Sequence, residues 1–108
     1  MWGADAVAKL KDLARVIRSK NAGALLVTLD VMFADEATYQ RVRDSGAINA
    51  ADIARRYGLS HNQVSVIPYD VAQAIKITIP RAHPSGDPLD SDVYGAQQHA
   101  PLLTIEVP

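Results

Sequence analysis

The chain has no cysteine among its 108 residues. A disulfide framework, a thiolate nucleophile and a cysteine-ligated zinc or iron-sulfur site are therefore excluded. It also lacks an apolar run long enough to cross a bilayer, and Met1 to Ala8 shows no basic stretch leading into an apolar core of signal-peptide length. A cytoplasmic protein without a membrane partner is the expectation. Nor is there an excess of one charge: 11 Lys and Arg stand against 12 Asp and Glu, a formal net charge of −1. That balance supplies no broad attraction for nucleic acid. Internal repeats, coiled-coil heptads and low-complexity tracts are missing too.

What is present is a chain that is 48% hydrophobic and 21% charged. It fits one domain of about 100 residues with a single core. A chain this small buries only about 60 to 70% of its unfolded surface, so oligomerisation would help it. Patterned sequence begins at Lys9, which predicts a flexible leader over residues 1–8 and a single domain over 9–108.

Lys9 to Arg18 satisfies a helical stripe through Leu10, Leu13, Ala14 and Ile17, while Val16 and Ile17 favour a strand. The strand is the reading adopted. Ser19 to Gly23 carries turn residues and predicts a loop. Ala24 to Phe33 is apolar, rich in β-branched residues and short, so it predicts a central strand covered on both faces. Asp35 and Asn49 are placed to cap two short helices, ended by Ser45-Gly46 and by Gly58, with Asp52 at the third position of the second helix as in a capping box. Strands are then expected from Val64, Val66 and Ile67, from Ile75, Ile77 and Ile79 before Pro80, and from Leu103, Ile105 and Val107. Arg81 to Asp92 is loop chemistry. Strands grouped around a helix pair predict an α+β fold: an antiparallel or mixed sheet with two short helices on one face.

Two constellations could carry chemistry. Ser85 to His99 gathers carboxylates, a phenol, two amides and an imidazole in fifteen positions. Asp87, Asp90 and Asp92 lack the central glycine and terminal glutamate of an EF-hand loop, so turn chemistry rather than a metal site is expected there. Gln97, Gln98 and His99 stand just before a predicted strand, where unpaired polar atoms are costly. His99 is the first candidate for proton transfer because its pKa lies near working pH, although a structural imidazole is an equal reading. His61 and His83 sit in turn contexts and are read as surface residues.

Arg18-Ser19-Lys20-Asn21-Ala22-Gly23 is the second constellation, suited to a carboxylate or phosphate through a guanidinium fork and open backbone amides. Its glycine spacing matches neither a Walker loop nor a dinucleotide fingerprint, and no cofactor is indicated. Arg41, Arg43, Arg55 and Arg56 read as solvated helix faces.

Lys9 to Gly23 and Asp92-Val-Tyr-Gly-Ala-Gln-Gln-His-Ala-Pro-Leu-Leu103, with Ala74 to Arg81 and Ser85-Gly-Asp87 between them, resemble the signature stretches of the domain of unknown function 4387 family. Members occur as small separate proteins or at the end of chains bearing an acyclic terpene utilisation (AtuA-type) domain. The resemblance implies a small subunit of an AtuA-type enzyme acting on branched carboxylic acids or their coenzyme A esters, as in a hydratase or other lyase. It implies a ferredoxin-like α+β sandwich by analogy. In this reading Arg18, Ser19, Lys20, Asn21, Asp92, Gln97 and Gln98 bind an anionic substrate, and His99 and Tyr94 move a proton. The rival expectation is a non-catalytic module in which the same residues hold an oligomer or a partner interface.

Overall fold

Two-residue alternation is realised most fully at Ala74–Pro80, which pairs with the apolar run Leu26–Met32, the two becoming neighbouring central strands. They belong to a computed structural model that describes residues 7–23, 25–80 and 100–108. In chain order its elements are β1 (Ala8–Lys9), α1 (Leu10–Leu13), β2 (Val16–Asn21), β3 (Leu26–Met32), α2 (Glu36–Ser45), α3 (Ala50–Tyr57), β4 (Ser65–Tyr69), β5 (Ala74–Pro80) and β6 (Glu106–Val107). Short 3-10 turns occupy His61–Gln63 and Ala100–Leu102.

Among the described residues the main sheet runs β2-β3-β5-β4, antiparallel at every junction, and β1 pairs with β6 in a separate ribbon. Register aligns Ile17, Val31 and Ile75 in one row and Ser19, Leu29 and Ile77 in the next. These side chains share the face that α2 and α3 cover through Tyr39, Val42 and Ile53. Leu10, Leu102, Ile105 and Val107 are buried in the same core. Burying each such aliphatic side chain contributes about 1.5–3 kcal/mol, which is what holds the helices to the sheet.

The expected α+β fold, with helices on one face of an antiparallel sheet, is what the chain forms. β3, the helix pair and β4, with β5 lying between the two strands, make a split βαβ unit. β2 joins the sheet by a hairpin instead of a second helical crossover, so the described residues carry only half of the ferredoxin-like plan.

Both helix starts are as the sequence predicts. Asp35 accepts a hydrogen bond from the Thr38 N–H, Asn49 accepts one from Asp52, and Gly46 and Gly58 end the helices in the left-handed region. The Asp52 carboxylate does not turn back on the backbone, however, but takes the guanidiniums of Arg55 and Arg56.

Several local expectations need correction. Lys9 to Arg18 is not one strand: Leu10–Leu13 is a turn of helix that buries Leu10, and the strand starts only at Val16. Ser19, Lys20 and Asn21 are strand residues rather than loop, because pairing with Leu29, Thr28 and Val27 outweighs their turn preference. The turn itself falls one step later, with Gly23 at φ 109°. β3 is central, but the helices cover one of its faces only; on the other face Thr28 is buried while Leu26 is 42% exposed. At the C-terminus only Glu106–Val107 is strand, Leu103 lying in the turn after Ala100–Leu102. The predicted loop from Arg81 to Asp92 lies outside the described residues.

Candidate functional site

Strand geometry divides the Arg18 to Asn21 constellation. Successive side chains of a strand point to opposite faces, so Arg18 and Lys20 stand on the open face, while Ser19 and Asn21 stand on the helix-covered face. Ser19 is buried and Arg18 is not. The four residues therefore cannot line one pocket side by side. Both Ser19 and Asn21 make polar or ring contacts of their own.

On the open face, cross-strand rows set Arg18 beside Asp30 and Lys76, and Lys20 beside Thr28 and Thr78. Arg18 Nε lies 3.7 Å from Asp30 Oδ2, with the Arg18 side chain 57% exposed, so the pair is loose and leaves most of the guanidinium fork open to another acceptor. Lys76 Nζ sits 5.6 Å from the centroid of the Tyr69 ring, a cation-π contact.

Where β2 enters the sheet, a cleft of about 480 Å3 is lined by Arg15, Val16, Arg18, Met32, Phe33, Ala34, Ala72 and Gln73. Two guanidiniums thus meet an apolar wall. Arg15 has its backbone N–H on the Met32 carbonyl at 2.8 Å, and its side chain has no ion-pair partner among the described residues. Gln73, in the turn between β4 and β5, holds φ at 52°, a left-handed conformation that costs a residue with a side chain about 1–2 kcal/mol. Strain of this kind gathers where a turn must present groups in a fixed way. Arg15 and Gln73 escaped sequence reasoning, because only the folded sheet brings them beside Arg18.

The turn that bears Gln73 is clamped from α2. Tyr39 Oη donates to Asp70 Oδ1 at 2.5 Å, and Arg43 Nη1 donates to the same oxygen at 2.9 Å. These two donors hold the Asp70 carboxyl below its ordinary range. Burial pushes the Tyr39 phenol above its ordinary pKa, and the hydrogen bond to Asp70 adds to that.

The helix arginines are not simply solvated. Arg56 joins Asp52 to the Pro101 carbonyl and to the Thr104 hydroxyl, and Arg41 Nε donates to the Pro108 carbonyl, so both fasten the C-terminal segment to the helices. Burial would raise Asp52, but Arg56 and then Arg55 outweigh it and hold the carboxyl low.

Chemically, the cleft can bind and orient a carboxylate whose apolar part lies on Val16, Met32 and Phe33. None of the described residues that line it is a proton-transfer group at neutral pH. Among the described residues no group of three metal-ligating side chains is found. Asp92, Tyr94, Gln97, Gln98 and His99, together with Asp87, Asp90 and His83, lie outside the described residues; His61 is exposed. Pro101, in the turn Ala100–Leu102, is held by Arg56 of α3, on the side of the sheet that Ser19 and Asn21 face and Arg18 and Lys20 do not.

The profile of the family described as a domain of unknown function, DUF4387, matches residues 10–106. The chain belongs to that family. The match takes in every strand of the main sheet and both capped helices, so the cleft and the clamp are parts of the family domain and not additions to it. No curated protein and no solved structure matches the chain significantly. Among the described residues no helix is long and apolar enough to cross a membrane.

Proposed function

We propose that this DUF4387 domain is the small companion of a larger AtuA-type enzyme and that it holds the anionic end of a substrate. One observation supports this above the rest: Arg15 and Arg18 flank an apolar wall in one cleft, where Arg15 has no ion-pair partner among the described residues and Arg18 makes only a loose pair with Asp30. A branched carboxylic acid, or the carboxyl end of a related thioester, has the matching chemistry of a small anion with an apolar body. The reaction class is addition or elimination, as in a hydro-lyase. There a cation fixes the carboxylate, and a proton moves at a neighbouring carbon through Tyr94, His99 or a group of the partner. The division of the Arg18 to Asn21 stretch refines the assignment. Arg18, with Arg15, is the anion anchor, and Lys20 extends the same face. Ser19 and Asn21 face the helix-covered side and are no part of that anchor.

The alternative, a non-catalytic interaction or oligomerisation module, draws its support from large apolar side chains left exposed on the sheet, among them Ile67 and Tyr69.

The experiment is co-purification with an AtuA-type chain, followed by turnover assays of branched acids and their thioesters with Arg15→Ala, Arg18→Ala and His99→Ala. Turnover lost with assembly intact supports the companion enzyme. Lost assembly supports the module. A wild-type chain that never associates removes the companion reading.

A further inference from the structure

We infer that the open face of the sheet along β4 is a docking surface for a partner protein that presents carboxylates around an apolar patch. Ile67 and Tyr69, two residues apart on β4, make the apolar part, with Val71 exposed in the turn beside them. Ile67 is 44% exposed, Tyr69 45%, and Val71, at the tip of the turn that follows, is fully exposed. On the same face, Val16, Met32 and Ala74 continue the row that ends at Tyr69, so the apolar strip crosses all four strands. Exposed apolar residues scattered singly need no explanation, but a connected strip does.

Charge identifies the occupant. The chain as a whole is slightly acidic, yet among the described strand residues the open face carries Arg18, Lys20 and Lys76 against the one carboxylate of Asp30. A second copy of this face would set like charges against each other, whereas a surface with glutamates or aspartates around its apolar centre would be complementary. Pro68 lies in the middle of β4 and has no N–H to offer, which disfavours growth of the sheet at this edge and leaves the face as the surface to be covered.

The surface is also held in shape before any partner arrives. Asp70, directly before Val71, is fixed by Tyr39 and Arg43, and Gln73 closes the turn in its left-handed conformation. Little ordering is then required on binding, which favours association. The companion reading supplies the natural candidate for the partner, but the surface itself stands on the strip and its charge.

The test uses the isotope-labelled full chain and a synthetic amphipathic helix with a leucine stripe bordered by glutamates. A control helix has lysines in their place. Saturable NMR shifts centred on Ile67, Tyr69, Val71 and Lys76 are expected with the glutamate peptide, at least tenfold weaker for Val71→Asp and for the lysine peptide. Val71 is wholly exposed, so this variant leaves the core untouched. Absence of saturable binding, shifts centred on α2 and α3, or equal binding of the two peptides overturns the inference. Pull-down of an AtuA-type chain by wild type and Val71→Asp separates the two ideas. If the peptide binds as expected but the AtuA-type chain does not, the companion reading fails and the surface stands. If Val71→Asp captures the AtuA-type chain as well as wild type does, the surface is not its dock and only the companion reading survives.

Discussion

Tyr39 on α2 and Asp70 in the β4-β5 turn are 31 residues apart and meet in a 2.5 Å hydrogen bond whose acceptor oxygen is shared with Arg43. The bond joins the helix layer to the turn that carries both Val71 and Gln73. Removing the phenol oxygen in Tyr39→Phe is expected to lower stability by about 1 kcal/mol, the usual net value of a partly buried hydrogen bond, read as a shift in the urea midpoint. Loosened amide exchange should be confined to residues 69–73.

The same contact sets a pH dependence. The folded pKa of Asp70 lies below its ordinary value, so the carboxylate adds stability that is fully present above about pH 4 and is lost as pH falls through the lowered value. Asp35, whose carboxylate accepts from the Thr38 N–H, and Asp52, paired with Arg56 and Arg55, act in the same direction. Urea midpoints measured between pH 7 and pH 2 should fall most steeply below pH 4, and Asp70→Asn should flatten that fall. An unchanged slope in the variant would show that the clamp contributes nothing to acid stability.

Arg56→Ala removes the link from Asp52 to Pro101 and Thr104. The C-terminal segment should then become a preferred site of limited proteolysis while the four-stranded sheet keeps its exchange protection. Arg56→Lys should not rescue it, because an ammonium lacks the planar fork that reaches both partners.

Neighbouring residues of β5 test the two faces of the sheet. Ile77 is completely buried against the helices, and Ile77→Ala should cost about 2–5 kcal/mol. Thr78 points to the open face, and Thr78→Ala should cost less than about 1 kcal/mol. Equal losses at both positions would mean that the open face is as well covered as the other.

Gln73→Gly relieves a left-handed residue and should raise stability by up to about 1 kcal/mol. In the anion-binding reading the gain comes with weaker affinity for a small branched carboxylate, measured by calorimetry, because the strained turn no longer fixes that side of the cleft.

Much of this architecture was written in local pattern. Two-residue alternation from Ile75 to Ile79 marked β5, the β-branched run after Ala24 marked β3, and Asp35, Asn49, Gly46 and Gly58 marked both ends of α2 and α3. Each of these signals acts within a few residues of itself, through side-chain direction, a cap hydrogen bond or a permitted φ, so one sequence suffices to read it. The family, too, was legible, because its signature strings are local.

Other features were decided only by the fold. Ser19, Lys20 and Asn21 have turn-forming chemistry, yet ladder pairing with β3 draws them into β2, and that one change sends Arg18 and Ser19 to opposite faces. Arg15 and Gln73 join Arg18 only because the register closes one end of the sheet, and Tyr39 finds Asp70 only because a helix lies across it. The sequence thus determined β3, β5 and the two capped helices, and which cations were available for an anion. Cross-strand register, a relation between residues far apart in the chain that no local pattern encodes, decided which of those cations share a face.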